Sequence, residues 1–210
     1  VTREQIDNIA VLTLNNAEKR NALSSALLSA LKGDLDAVGQ DPMVRVVVLR
    51  AVGPVFSSGH DLRELVDGDA DGNSRVFDIC IGVMEAIRLL PQPVIAQVQG
   101  LATAAGCELV ATCDLVVASE QASFATPGVD IGLFCTTRGV AVGRAMPTKK
   151  AMEMLLTGEP LSAKEALAVG LVNRVVPAEE LEEQTMAYYR ARRETIDSDT
   201  FHLACVELIG

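Results

Sequence analysis

The sequence predicts an α/β fold in which most strands run parallel. Short apolar runs alternate along the chain with longer segments whose apolar residues recur at helical spacing. The runs at residues 45–51 and 114–119 are rich in valine and do not alternate with polar residues, which is typical of strands covered on both faces. Short connections join these segments in the order strand, helix, strand, and that order favours helices packed on a parallel sheet.

Two strands and one helix are predicted before the first glycine-proline turn. The strands cover residues 9–14 and 45–51, and the helix between them ends at Gly39. The apolar stripe that predicts this helix consists of Leu23, Leu27, Leu31, Leu35 and Val38.

The turn at Gly53-Pro54 introduces the next group of elements. After it we expect a short extended piece, a second turn at Gly59 and the start of a helix. Glycines and acids at residues 67–73 predict a mobile, exposed loop. An amphipathic helix then ends at two prolines, and a strand follows at residues 94–98.

The second half of the chain continues the alternation of strands and helices. Further strands are predicted at residues 114–119, 122–125 and 173–176. Helices are predicted at residues 138–145 and 148–157, after a turn at 126–128 and a loop at 130–137. Ser162 and Glu165 have the spacing of a capping box, which predicts another helix that Gly170 closes. The chain from residue 177 onward is charged and predicted to be helical.

Residues 99–114, QGLATAAGCELVATCD, carry the pattern that points most directly to chemistry. Small residues at the start of a helix let a ligand approach backbone N–H groups that have no intrahelical acceptor, where the helix dipole favours negative charge. Glu108 follows within about one helical turn. Donors that face a forming anion, with a carboxylate nearby, suit enolate or oxyanion chemistry.

Composition excludes several other classes of function. The 210 residues suffice for one sizeable domain, and a net charge of −10 without a basic block counts against nucleic acid as the main ligand. No apolar run approaches the roughly 18 residues of a membrane span, and the first residues do not resemble a signal peptide. We therefore expect no membrane insertion and no secretion, and a location in the cytoplasm or the mitochondrial matrix.

Sequence motifs also argue against metal and nucleotide sites. The five cysteines form no C-x-x-C pair, and neither histidine lies in a cluster with ligand spacing, so no metal is expected. The chain contains no P-loop, no G-x-G-x-x-G and no G-x-S-x-G elbow.

Five segments, in order, resemble the crotonase, or enoyl-CoA hydratase/isomerase, superfamily. They are EKRNAL (18–23), FSSGHDLREL (56–65), GLATAAGCELVATCDLVVAS (100–119), FATPGVDIGLF (124–134) and LTGEPLSAKEALAVGLVNRVVP (156–177). The resemblance covers roughly residues 9–181. FSSGHDL and PGVDIGLFC are most similar to the branch called enoyl-CoA hydratase domain-containing proteins.

The resemblance implies a spiral of repeated ββα units with C-terminal helices. The spiral core is assigned to residues 1–180 and the helical segment to residues 181–210, whose last part does not align with the family pattern. A homotrimer or a dimer of trimers is implied. The expected ligand is an acyl-CoA thioester, and no separate cofactor is expected because coenzyme A is part of the substrate.

The resemblance also assigns site residues. The backbone amides of His60 and Ala105 are implied to hold the thioester oxygen as an enolate forms, and Glu108 matches an acid/base glutamate. No base role is given to the His60 ring. Residues implied to bind the substrate or its CoA portion are Lys19, Arg20, Ala22, Ser58, Gly59, Asp61 and Arg63. Among these, the three basic side chains match positions near the CoA phosphates. The pocket walls are expected from residues 67–84 and 131–135.

Two acidic positions of the family pattern are not acidic in this chain. The second hydratase glutamate would fall at Gly128, and a further acid used by some members would fall near Thr136. Asp130 would share the side of Gly128 if the segment were a strand, although a role as a loop cap is the simpler interpretation. Three readings stay open: an enolate-forming enzyme with one glutamate, a catalytically weak acyl-CoA-binding homologue, and an RNA-binding relative, which the charge disfavours.

Overall fold

The structure, a computed structural model, describes residues 1–67, 69–132 and 136–190. Within these residues ten strands and eight α-helices alternate along the chain. The strands are β1 (Thr2–Ile6), β2 (Ile9–Leu14), β3 (Val46–Ala51), β4 (Val55–Ser57), β5 (Val94–Val98), β6 (Leu101–Thr103), β7 (Leu115–Ser119), β8 (Ser123–Ala125), β9 (Leu161–Ser162) and β10 (Arg174–Val176). The helices are α1 (Ser25–Gly39), α2 (Leu62–Asp67), α3 (Ala70–Leu89), α4 (Ala105–Thr112), α5 (Thr136–Ala145), α6 (Thr148–Thr157), α7 (Ala163–Ala168) and α8 (Leu181–Arg190). Short 3₁₀-helices cover Ala17–Lys19, Pro127–Ile131 and Ala178–Glu180.

The strands form two sheets. The larger has the order β1-β2-β3-β5-β7-β10, and its strands are parallel except for the antiparallel pair β1 and β2. The smaller has the order β4-β6-β8-β9, in which β4, β6 and β8 are parallel and β9 is antiparallel.

The chain winds between the two sheets in a regular way. After β3 it crosses to the smaller sheet as β4 and then forms α2 and α3. It returns as β5, crosses as β6 and forms α4, and it repeats the crossing with β7 and β8. The predicted α/β spiral of repeated ββα units is therefore confirmed.

Burial on both faces explains the apolar strands. Leu12 and Leu14 of β2 belong to the main core with α1 and α3, whereas Ile9 and Val11 face a second cluster that includes Leu181 of α8. Every position of β2 is buried, so the strand carries no polar alternation. Helix α1 buries four residues of the predicted stripe, Leu27, Leu31, Leu35 and Val38, and the fifth, Leu23, is buried before the helix begins.

The predicted loop at residues 67–73 is wrong for the part of that segment that the structure describes. Helix α2 includes Asp67, and α3 begins at Ala70. Asp69 caps α3, because its Oδ1 atom accepts a hydrogen bond of 2.7 Å from the Gly72 amide. This local cap starts the helix despite the glycine.

Two helix starts and three short strands also differ from the prediction. The segment after β8 begins a 3₁₀-helix at Pro127, and α5 begins at Thr136, so the predicted loop at residues 130–137 is helical at both ends. Strands β1, β6 and β9 were not predicted. The capping box is confirmed, since the Glu165 amide donates to Ser162 Oγ at 3.3 Å and Glu165 Oε2 accepts from the Ser162 amide at 2.9 Å.

The proposed boundary near residue 180 stays a prediction. Helix α8 packs against β5 and β7, and residues 191–210 of the predicted C-terminal segment lie outside the described residues. In the described part of the chain, no helix has both the length and the apolar character needed to cross a membrane.

Candidate functional site

The smaller sheet brings three motif segments to one edge. Strands β4, β6 and β8 are parallel neighbours, so the segments that follow them leave the sheet at the same carboxyl edge. These segments are residues 58–61, which we call the glycine loop, the start of α4, and the turn that contains Gly128. Three motifs that are far apart in sequence are thereby adjacent in space.

A fourth segment, residues 15–24, lies against the glycine loop. We call it the first loop. The Ser58 amide donates to the Arg20 carbonyl at 3.0 Å, and the Leu23 amide donates to the Gly59 carbonyl at 2.8 Å. Leu23 and His60 form an isolated parallel bridge. The backbone of the predicted CoA-binding loop is thus joined to the backbone that carries the predicted oxyanion donor.

Asn21 holds the first loop in shape. It is fully buried and has a φ of 50°, a left-handed conformation that asparagine tolerates better than most residues. Its Nδ2 atom donates to the carbonyls of Val52 (2.9 Å) and Val55 (2.8 Å), and its Oδ1 atom accepts from the Asn16 amide at 2.9 Å. No role is predicted for Asn21 from the sequence, although its place within EKRNAL is a signal for one.

Gly59 lies directly against the start of α4. Its φ is +86°, and a Cβ atom added there would lie 2.7 Å from Ala104 Cβ and 3.2 Å from the Ala105 nitrogen. Both the conformation and the lack of space require glycine. The glycine loop therefore meets the helix at the amide that the sequence analysis had singled out.

The start of α4 is held by its neighbours. Ala104 has a φ of 53°, and its amide donates to the Ala125 carbonyl at 2.9 Å. The Ala104 carbonyl accepts from the amides of Cys107 (3.0 Å) and Glu108 (3.2 Å). Ala105 is the first helical residue, so its amide has no intrahelical acceptor and lies at the positive end of the helix dipole.

Glu108 is buried, with 6% of its surface exposed, and lies on α4 one turn after Ala105. It lines a pocket of about 690 Å³ between α3, α4 and α5. Ile81 and Met84 line it, and both belong to the segment at residues 67–84 that is predicted to form walls of the substrate pocket. His60 and Ala105 do not line this cavity, so the walls of the substrate pocket stay a prediction. Ile131 is not among the wall residues, and the other predicted positions at 133–135 lie outside the described residues.

The same pocket contains a thiol of low acidity. Burial, followed by the nearby charge of Asp114, raises the pKa of Cys113 far above its usual range. The Cys113 thiol also donates to the Leu109 carbonyl at 3.3 Å. These surroundings are the opposite of those that activate a nucleophilic cysteine.

The His60 side chain packs rather than reaching into this pocket. Its ring is buried and meets Phe77 edge to face, with ring centroids 5.2 Å apart. This contact gives the ring a packing role, and the role of the His60 amide stays a prediction.

The predicted binding residues divide into two groups. Lys19, Arg20 and Arg63 are exposed, and none of them forms an ion pair with another of the described residues. The second group contains residues that form part of the folded structure. Ala22 is buried, and the Asp61 Oδ1 atom accepts a hydrogen bond from the Arg63 amide at 3.1 Å where α2 begins. None of these residues lines the pocket beside Glu108.

Gly128 is buried in the 3₁₀-helix that follows β8. The segment is not a strand, so the condition under which Asp130 would share the side of Gly128 is not met. A 3₁₀-helix has about three residues per turn and does not place alternate residues on one side. Asp130 is exposed, and its Oδ1 atom lies 3.2 Å from where a Cβ at Gly158 would be. The side chain of Thr136 lies outside the described part of the structure.

Comparison with known proteins identifies the family. The sequence profile described as "Enoyl-CoA hydratase/isomerase" matches residues 4–201. The chain belongs to the enoyl-CoA hydratase/isomerase family. Enoyl-CoA hydratase domain-containing protein 3, mitochondrial, from Homo sapiens is 55% identical over 189 residues, which are 89% of this chain and 62% of that relative. This member of the family thus spans about three fifths of the length of the curated relative.

Two crystal structures support the same assignment. That of human enoyl-CoA hydratase domain-containing protein 3 matches with a TM-score of 0.94 and 49% identity, covering 99% of this chain and 82% of that one. That of an enoyl-CoA hydratase from Mycobacterium smegmatis matches with a TM-score of 0.87 and 40% identity, covering 97% and 89%. The resemblance to the enoyl-CoA hydratase/isomerase family and to its domain-containing branch is confirmed.

Proposed function

We propose that this protein binds an acyl-CoA thioester and stabilises the enolate of its acyl group. The amides of His60 and Ala105 would receive the thioester oxygen. The observation that supports this proposal is the contact of Gly59 with the start of α4, where the Ala105 nitrogen is 3.2 Å from the Cβ position of Gly59. Two converging backbone donors suit a developing oxyanion, and the loss of one such donor costs about 10²- to 10³-fold in rate.

Glu108 is proposed as the acid/base of an enoyl-CoA hydratase/isomerase-type reaction. In isomerisation it would remove a proton from C2 of a 3-enoyl thioester and return it at C4, as the double bond moves to C2–C3. In hydration it would take a proton from water while the oxygen attacks C3 and the electron pair moves to the thioester oxygen. Glu108 would then return that proton to C2 as the enolate collapses. Burial of Glu108 on the helix that also carries Ala105 supports this role.

The coenzyme A portion is proposed to lie along the first loop and the glycine loop. The exposed cations Lys19, Arg20 and Arg63 would face its phosphates, and the backbone at Ala22 would meet the adenine or pantetheine portion. Ser58, Gly59 and Asp61 would form the adjoining backbone surface. The proposal requires no metal or redox cofactor, because coenzyme A arrives with the substrate.

The alternative is a catalytically weak homologue that binds acyl-CoA. Gly128 favours it, because this residue is buried at the edge where a second acid would lie and has no side chain to transfer a proton. A one-glutamate enzyme and a binding protein would share the same oxyanion donors. Only the enzyme would convert the bound CoA ester at an appreciable rate.

The deciding assay offers the purified protein crotonyl-CoA and 3-enoyl-CoA esters, with CoA-ester binding followed by calorimetry. We expect Glu108→Gln to lower the turnover rate at least about 10²-fold and to leave the affinity for the CoA ester unchanged. Asp130→Asn is the matched control, since its exposed carboxylate lies beside Gly158, and it should behave as the wild type. Turnover that Glu108→Gln leaves intact would remove Glu108 from the mechanism, and binding without turnover in the wild type would favour the alternative.

Assembly and location are further proposals. A homotrimer or a dimer of trimers is expected from the family resemblance, and light scattering on the purified chain tests it. The relative from Homo sapiens is named as mitochondrial, which makes the mitochondrial matrix the first location to test by fractionation.

A further inference from the structure

Ser57 occupies a central position between the segments of the proposed site. It ends β4, it is fully buried, and its Oγ atom donates to the Asn21 carbonyl at 2.9 Å. The same oxygen accepts from the Gly59 amide at 3.3 Å. One hydroxyl therefore joins the first loop to the glycine loop and fixes the amide that precedes His60.

Ser57 also touches the start of α4. A Cβ atom at Gly106 would lie 2.7 Å from the Ser57 carbonyl oxygen and 2.9 Å from its Oγ atom. Gly106 follows Ala105 and Gly59 precedes His60, so Ser57 contacts a residue adjacent to each of the two proposed donors. A residue that contacts both sides of the proposed oxyanion site can set their separation.

Asn21 gives Ser57 a fixed acceptor. The Asn21 side chain donates to the carbonyl of Val55, two residues before Ser57, while the Asn21 carbonyl accepts from the Ser57 hydroxyl. These two hydrogen bonds close a short ring between β4 and the first loop. Because the Asn21 side chain also binds Asn16 and Val52, the acceptor cannot move independently of the loop.

We propose that Ser57 is a positioning residue that sets the separation of the His60 and Ala105 amides, with Asn21 as its anchor. The inference rests on the proposed function, since it assigns Ser57 a role in that oxyanion site. Gly59 has a positive φ and no side chain, and the Leu23 amide already holds its carbonyl oxygen at 2.8 Å. The Ser57 hydroxyl restrains the amide of the same residue.

The expected signature of Ser57→Ala is a change in kcat with little change in KM. The contacts proposed for the CoA portion lie on the first loop, the glycine loop and α2, and none of them is made by the Ser57 hydroxyl. A misplacement of the amides weakens only the interaction that strengthens as the enolate forms. We expect kcat to fall about 10- to 100-fold and KM to change by less than about threefold.

Ser119→Ala is the matched control. Ser119 is also fully buried, it ends β7, and its hydroxyl donates to a backbone carbonyl, that of Gln99, at 2.8 Å. The substitution removes the same group and the same kind of hydrogen bond, but its recorded partner is not in the first loop or the glycine loop. We expect its kcat to stay within about twofold of the wild type.

A second readout follows the enolate directly. Acetoacetyl-CoA ionises to an enolate that absorbs in the ultraviolet, so titration of the bound ligand reports how well the site stabilises the oxyanion. A CoA thioether of the same length, which lacks the carbonyl, reports only binding of the remaining groups. Ser57→Ala should raise the apparent pKa of bound acetoacetyl-CoA by about one to two units and leave thioether affinity within about threefold.

The outcomes separate the two proposals. Failure of the wild type to bind either ligand would defeat the proposed function. Binding with enolate formation that is unchanged in Ser57→Ala, or a loss that Ser119→Ala reproduces, would overturn the role of Ser57 alone. If circular dichroism shows that Ser57→Ala is unfolded, Ser57→Cys takes its place in both assays. A weakened enolate signal in that variant supports the proposal, and a wild-type signal overturns it.

Discussion

Gly59→Ala tests the contact on which the proposed site depends. The new methyl group would be 2.7 Å from Ala104 Cβ and 3.2 Å from both the Ala105 nitrogen and the Thr103 carbonyl oxygen. A separation of 2.7 Å is too short for two carbon atoms, so either the glycine loop or the start of α4 must move. Ala104 is held in its own positive-φ conformation by the Ala125 carbonyl, which limits how far it can yield.

Three effects determine the size of the destabilisation, two that lower the stability of the variant and one that offsets part of the loss. A positive φ costs an L-residue about 1–2 kcal/mol relative to glycine. Overpacking a rigid contact adds about 1–3 kcal/mol. The lower entropy of the unfolded alanine variant offsets about 0.4–1 kcal/mol of this. We expect a loss of about 3 kcal/mol, which for a chain of this size lowers Tm by about 6–12 °C.

The assay is thermal unfolding by circular dichroism beside a matched glycine substitution. Gly33 is an exposed interior residue of α1, and a Cβ there has nothing within 4 Å. Gly33→Ala should therefore stabilise the protein by up to about 1 kcal/mol. A Gly59→Ala variant as stable as the wild type, or an equal loss in Gly33→Ala, would refute the close approach of the two segments.

Two other predictions concern ionisation. Hydrogen bonds from the Ser162 hydroxyl and then the Ser162 amide lower the pKa of Glu165, so the stabilisation is present above the unfolded pKa and is lost as pH falls through the folded value. Ser162→Ala should lower Tm more at about pH 7 than at about pH 3, and an equal effect at both would contradict this. Because burial and then Asp114 raise the pKa of Cys113, iodoacetamide should alkylate this thiol at about pH 8 far more slowly in the native protein than in the unfolded one. Mass spectrometry of the labelled peptide checks this, and equal rates would show that the thiol is not protected.

The limits of a helix or strand could be predicted from the sequence where they depend only on nearby residues. Helix α6 was predicted at residues 148–157 and is observed at Thr148–Thr157, because Gly158 has a φ of +72° and ends it. The strands at residues 9–14 and 94–98 were also predicted at their observed limits. Because such strands are buried on both faces, their sequences are continuously apolar, and this pattern predicts the strand without knowledge of the neighbouring strands.

Short strands could not be predicted because their partners are distant in sequence. Strand β6 has three residues and exists between β4 and β8, and β9 has two residues against β8. Strand β1 is mostly exposed and has no apolar pattern, and it is joined to β2 by a tight turn in which Asp7 has a φ of 55°.

The site was predictable in parts. Small residues before Glu108 indicated exposed amides at a helix start, and the residues alone carried that inference. The partnership of Gly59 and Ala105 came only from the family resemblance, because it depends on the parallel pairing of β4 with β6 across the spiral. Ser57 and Asn21 were missed for the same reason, since their contacts join residues more than 30 positions apart.

In the smaller sheet, the groups proposed to stabilise the oxyanion are different from the groups that would determine which reaction follows. The edge formed by β4, β6 and β8 delivers the glycine loop, the start of α4 and the turn at Gly128 together. The two proposed donors are backbone groups, so they depend on strand pairing and on the glycine at residue 59, and not on the side chain at residue 128. A lost carboxylate at that turn therefore changes which protons can be transferred and leaves the proposed enolate site in place. On this reasoning, enolate formation from bound acetoacetyl-CoA should persist even if hydration of crotonyl-CoA is weak.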